Sequence, residues 1–160
     1  MNFFQSREKQ GIGVGAVAPD FELNDQNGNL VRLSTFRGSK NVVVFFYPRA
    51  SSPGCTAEAC SFRDQFEDFV DAGAEVIGIS TDPVDAQAAF ASHNRLPFTL
   101  LSDTNGDVTK AFGVPNWMGM LPGRTTYVID RDGVVQHVFN SQMKVHNHVK
   151  EALETLKRLS

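Results

Sequence analysis

The run from Asn41 to Pro48, "NVVVFFYP", constrains this chain more than any other stretch. Its interior is all β-branched or aromatic, with no polar alternation, so it reads as a strand buried on both faces and central in its sheet. A second run of the same kind, "AEVIGIS", spans Ala74 to Ser80. Between them Ala59, Phe62, Phe66, Phe69 and Val70 recur at helical spacing and predict one apolar helix face. Strand, helix and strand at this length form a βαβ unit with a right-handed crossover. The chain has 160 residues, enough to cover such a sheet on both sides within one domain.

The rest of the chain extends that unit. "TDPVDAQAAFASHN" predicts a helix with Asp82 as N-cap and Pro83 at its first position. "FTLLSD" is a short strand, and "GDVTKAFG" a short helix stopped by Gly113. "TTYVID" and "VVQHVFN" predict an antiparallel hairpin about the turn Arg131-Asp132-Gly133. Val145, Val149, Ala152, Leu153 and Leu156 mark a closing amphipathic helix. A parallel half followed by a hairpin and a last helix is an α/β fold with a mixed central sheet flanked by helices, the order of the thioredoxin-like fold. Residues 1–15, polar and glycine-rich, are expected to be a flexible arm, and 16–160 a single domain.

Several function classes fall away. The formal net charge is −3 and no basic run appears, which points away from nucleic acid and from anionic membranes. No apolar run approaches the ~18 residues of a membrane span. "MNFFQSREKQ" lacks the basic and apolar regions of a signal peptide, so the expected compartment is the cytoplasm, with a mature plastid form as the alternative.

Both cysteines, Cys55 and Cys60, lie in "YPRASSPGCTAEACSFRD", separated by four residues. That gap is too long for a C-x-x-C motif, and zinc ligands are too few nearby. His146 and His148 stand two apart, where helix side chains do not face each other, so both read as solvated surface residues, as do His93 and His137. At 100° per residue Cys55 falls close to the centre of the Ala59–Phe62–Phe66 face, and Cys60 falls toward its flank. Cys55 is thus expected in the first helical turn, against the core. Free amides and the helix dipole favour an anion there, and cysteines at such places are commonly thiolates. Cys55 is placed to be a nucleophile, whereas packing and reaction remain equal readings for Cys60.

"YPRASSPGCTAEACSFRD" resembles the signature of the peroxiredoxins, most closely of their Q, or bacterioferritin comigratory protein, group. The resemblance extends from "GAVAPDFELNDQNGNLVRLSTFRGSKNVVVFFYP" to "LPGRTTYVIDRDGVVQHVFNSQ". The family pattern is Pro, three residues, Thr or Ser, two residues, Cys; Pro48, Ser52 and Cys55 fit it, with Ser where Thr is more usual. Arg124 matches the family's arginine, and Cys60 matches the resolving cysteine of this group.

The resemblance implies a thiol peroxidase acting on hydrogen peroxide and organic hydroperoxides without metal, haem or flavin. It implies that Cys55 is the peroxidatic residue, and that Cys60 traps it as an intramolecular disulfide. Thioredoxin or a glutaredoxin-like protein would then reduce the pair. It further implies that Arg124 steadies developing charge, that Ser52 steers the peroxide and that Pro48 shields the sulfur. Glu58 either orients Arg124 or, as a first-turn acid, only complements the helix dipole. A monomer is expected. The alternative is a redox-regulated chaperone or peroxide sensor on the same fold; a thiol–disulfide oxidoreductase is disfavoured by the missing C-x-x-C.

Overall fold

The computed structural model describes residues 12–117 and 121–160. Strands β1 (Glu22–Asp25) and β2 (Leu30–Arg32) form a first hairpin, followed by a 3-10 turn (Leu33–Phe36) and β3 (Asn41–Phe46). Helices α1 (Pro53–Asp64) and α2 (Phe66–Asp71) lead to β4 (Ala74–Ser80). Then come α3 (Val84–Asn94), β5 (Thr99–Ser102) and α4 (Asp107–Phe112). A two-stranded ribbon of β6 (Asn116–Trp117) and β7 (Leu121–Pro122) precedes the hairpin β8 (Thr125–Ile129) and β9 (Val135–Asn140), and α5 (Val145–Leu159) closes the chain.

The main sheet has seven strands in the order β2-β1-β5-β4-β3-β8-β9. β3, β4 and β5 are parallel neighbours, and β8 pairs antiparallel with β3. This is the mixed sheet of the expected thioredoxin-like fold. Every residue of β3 is buried, as its composition requires. Val43 and Phe45 enter a core shared with α1, α2, α3 and α5, where Phe62, Phe69, Phe90, Val149 and Leu156 pack. Val42, Val44 and Phe46 face the opposite side, against Phe112 of α4, Tyr127 and Phe21. The alternation of strand side chains thus divides one apolar run between two cores.

Some expectations change. The predicted single helix through Val70 breaks at Gln65, whose backbone leaves the helical region (φ −107°, ψ 12°). The second piece keeps Phe69 fully buried but turns Val70 out, 53 % exposed. Asp82 does not cap α3; Pro83 occupies the N-cap position. The Asp82 carboxylate instead accepts from the Ala50 amide and the Ser80 hydroxyl, both at 2.7 Å. It therefore ties the loop after β3 to the end of β4. Of the expected arm, residues 1–11 lie outside the described residues. Ile12 and Gly15 donate backbone hydrogen bonds to Phe112 and Val135.

Candidate active site

The register of β3 with β8 sets Phe46 opposite Thr125. The residues just beyond that pair, Tyr47 and Pro48 on one strand and Arg124 on the other, are therefore brought to the same end of the sheet. From Pro48 the chain turns through Ser51, a non-glycine residue in the left-handed region (φ 65°), and enters α1. Ser52 is the N-cap in extended geometry, and Pro53 begins the helix, where its missing N–H costs nothing. Cys55 then falls in the first turn, buried beneath it.

Arg124, itself buried, reaches across to this turn. Its Nη1 lies 3.5 Å from Cys55 Sγ and donates to Glu58 Oε1 at 2.8 Å, while Nε donates to the Gln142 carbonyl at 3.2 Å. Two residues of α1 and one carbonyl of the loop before α5 thus fix one guanidinium. Gly54 makes the approach possible, since a Cβ there would stand 2.9 Å from Arg124 Nη2. Burial works against the charge of Arg124, but Glu58 and Cys55 outweigh it and hold the group above its ordinary value. Glu58 sits past the first turn and is fully buried, so of its two expected roles the structure shows contact with Arg124. Burial, only partly offset by Arg124, pushes its carboxyl up to about 8. Arginine stays charged either way, so the variable proton of this pair belongs to Glu58.

A model of the AhpC/TSA family matches residues 14–138. The chain is 52% identical over 149 residues to chloroplastic peroxiredoxin Q of Sedum lineare, covering 92% of this chain and 80% of that one. The chain is a peroxiredoxin of the AhpC/TSA family. As a member it is a thiol peroxidase. Its fold superposes on the solved structure of peroxidoxin BcpB from Mycobacterium tuberculosis with a TM-score of 0.86, at 45% identity, over 93% of this chain and 99% of that one. It superposes on Xanthomonas campestris bacterioferritin comigratory protein with a TM-score of 0.83, at 27% identity, over 92% and 97%.

The other expected residues of this peroxiredoxin take varied places. Pro48 is buried at the end of the β3 segment. The Ser52 hydroxyl donates to the Arg49 carbonyl at 2.8 Å. Cys60 is half-buried on the same helix as Cys55, with Sγ 3.8 Å from Asn94 Oδ1, and both cysteines are free thiols. Arg63, one turn on, donates to the Asn94 carbonyl at 2.8 Å. Among the described residues no cluster of three or more His, Cys, Asp or Glu could hold a metal ion.

The histidines correct the sequence reading. His148 is not at the surface but fully buried, because Val145, His148, Ala152 and Thr155 follow one helical stripe toward the sheet. His137 is half-buried and paired with Glu151 at 2.8 Å. His93 is exposed, and His146 is exposed beside Ser61 at 3.1 Å, as expected of surface residues. The stripe through Val145 and Ala152 is the signal that could have placed His148 inside.

Proposed function

We propose that this peroxiredoxin reduces hydrogen peroxide and organic hydroperoxides at Cys55, with Cys60 as its resolving partner and a thioredoxin- or glutaredoxin-like dithiol as reductant. The 3.5 Å contact between Arg124 Nη1 and Cys55 Sγ carries the reading. It puts a permanent cation beside a nucleophile in a helix's first turn. The alkyl peroxide reduction activity of the bacterioferritin comigratory protein of Xanthomonas campestris supports the organic substrates.

In the first step the Cys55 thiolate attacks one peroxide oxygen. The S–O bond forms as the O–O bond breaks, and the other oxygen leaves as hydroxide or alkoxide and takes up a proton. Sulfur is oxidised by two electrons to a sulfenic acid, and the peroxide is reduced. Charge passes from sulfur to oxygen along one line, and Arg124 offers donors to both ends of it. Pro48 adds no N–H to compete for the oxygens. Rotation of Ser52 about χ1 releases its hydroxyl from the Arg49 carbonyl to the peroxide. In the second step the Cys60 thiol condenses with the sulfenic acid, forming S–S and releasing water before further peroxide can overoxidise the sulfur. The external dithiol then reduces the disulfide by exchange.

A coupled assay of hydroperoxide consumption with thioredoxin tests this reading, with Cys55→Ser as the control. Multiple turnovers that vanish in Cys55→Ser support it. A single stoichiometric oxidation without turnover would instead mark a peroxide sensor. With both thiols on one chain, a monomer suffices. The chloroplastic relative favours a plastid placement over the cytoplasmic one expected from the sequence, and organelle fractionation decides between them.

A further inference from the structure

We propose that Asp82 is a positioning residue for the peroxidatic centre: its carboxylate, anchored by a buried chain of hydrogen bonds, holds the Ala50 amide and so sets the loop from which Pro48 and Ser52 meet the peroxide. This rests on the peroxidase reading above. The chain starts at Gln87 of α3, a fully buried side-chain amide. Its Nε2 lies 2.8 Å from the Leu101 carbonyl, which can only accept, so the orientation of the amide is fixed. The second Nε2 hydrogen goes to Ser80 Oγ at 2.9 Å, and Oε1 accepts from the Tyr47 hydroxyl. Ser80 Oγ also accepts from the Asp82 amide at 3.2 Å. Its own hydrogen is then left for Asp82 Oδ2 at 2.7 Å. Asp82 Oδ2 accepts a second time, from the Ala50 amide at 2.7 Å.

Both ends of this chain close on one short segment. Tyr47 directly precedes Pro48, and Ala50 follows two residues later. Pro48 and Arg49 are thus gripped from both sides by a network rooted in β4, β5 and α3. The segment needs such a hold. Ser51 is a non-glycine residue in the left-handed region at φ 65°, a conformation that persists only where the surroundings impose it. Ser52 donates back to the Arg49 carbonyl, from its hydroxyl at 2.8 Å and its amide at 3.4 Å, and Pro48 has no N–H. Among the described residues, the Ala50–Asp82 bond is the one hydrogen bond that ties residues 48–52 to another part of the fold.

Cys55 and Arg124 are held by other means. Cys55 is set by α1, and Arg124 by Glu58 and the Gln142 carbonyl. Releasing Ala50 therefore leaves the thiolate and its cation in place and lets Pro48 and Ser52 drift from the peroxide. The loss falls on the orientation of the substrate, where small displacements cost rate. Asp82 acts on the reaction only through the loop.

The experiment compares reduced wild type, Asp82→Asn and Asp82→Ala at neutral pH. It measures the stopped-flow rate with hydrogen peroxide, the rate of Cys55 alkylation by iodoacetamide, and hydrogen exchange at the Ala50 amide. Alkylation reads the thiolate alone, whereas the peroxide rate also reads the loop. Asparagine keeps an oxygen that accepts from Ser80 and Ala50; alanine keeps none. The expected result for Asp82→Ala is a peroxide rate lower by roughly tenfold with alkylation unchanged. Asp82→Asn should recover most of that loss. The wild-type Ala50 amide should exchange slowly for a loop position, a reading that needs no variant to fold. Fast exchange there, a fall in peroxide and alkylation rates together, or an Asp82→Asn no faster than Asp82→Ala overturns the proposal. A wild type inert to peroxide overturns the peroxidase reading, and the proposal with it. An active wild type matched by Asp82→Ala overturns the proposal alone.

Discussion

Cys60 Sγ faces Asn94 Oδ1 of α3, 3.8 Å away, while Cys55 Sγ faces Arg124 on the other side of the site. Both cysteines belong to the unbroken helix Pro53–Asp64. Five helical steps separate their Cα atoms by roughly 8.6 Å with side chains pointing apart, and a disulfide tolerates about 7 Å at most. The bond therefore requires the first turns of α1 to unwind and Cys60 to leave Asn94. Hydrogen exchange should show residues 56–62 protected in the reduced protein and exposed in the disulfide form. Equal protection in both, with the disulfide confirmed by mass, would refute this. Asn94→Ala removes one anchor and should speed disulfide formation several-fold, reducing sulfinic acid at high peroxide.

Arg124→Lys keeps the charge and loses the fork. An ammonium cannot serve Cys55, Glu58 and the Gln142 carbonyl together, as the guanidinium does. The rate of reaction with peroxide should fall by ~100-fold or more. Stopped-flow oxidation of the reduced enzyme measures it, and a near-native rate would remove Arg124 from the proposed chemistry.

Gly54→Ala separates stability from rate. Alanine in a helix is favoured over glycine by up to about 1 kcal/mol. The new Cβ, however, would stand 2.9 Å from Arg124 Nη2, and the arginine is pinned by Glu58 and Gln142. The helix gain is then offset at the displaced arginine, so the variant should unfold at nearly the wild-type denaturant concentration and yet react with peroxide on the order of tenfold more slowly. A native rate would mean that the guanidinium can shift without consequence.

The sequence carries the centre of this fold more openly than its edge. Burial on both faces leaves Val43 to Phe46 no polar option, so β3 is legible alone. β1 and β2 sit at an edge with exposed Glu22, Asn24, Leu30 and Arg32, and their strand pattern is faint. The signal there is Asn27-Gly28: Gly28 has φ 82°, and the Asp25 carboxylate accepts from the Asn27 and Asn29 amides at 2.9 Å. In the site, Cys55 is legible because proline and glycine precede it at a helix start. The Arg124–Glu58 contact joins residues 66 apart in the sequence, and helical spacing alone leaves Glu58 ambiguous. Asp82 has the chemistry of a cap, and only the return of Ala50 to its side redirects it.

Stability should vary with pH through Glu58 and His148. Glu58 is raised to about 8, so its contribution is complete below the unfolded value near 4.5 and is lost as pH rises through 8. His148 is lowered to about 4, so its contribution is present above the unfolded 6.5 and is lost as pH falls through 4. The two slopes oppose each other between about 4.5 and 6.5, leaving a plateau that falls away on both sides. Glu58→Gln should flatten the alkaline side, gaining on wild type by on the order of 2 kcal/mol from pH 6.5 to 8. Urea unfolding at several pH values checks the sign, and a gap that shrinks with rising pH would contradict it.

The single helix that carries both thiols also decides how resolution scales with the amount of protein. A resolver on another chain would be met by collision, and its rate would fall on dilution. Here Cys60 is tethered five residues from Cys55, so its local concentration is set by the backbone and not by the cell. With Cys60 as the proposed resolver, trapping of the oxidised sulfur is first order. Scarce or abundant, each molecule closes its own disulfide at the same speed, and damage by excess oxidant is a race between that speed and the peroxide concentration.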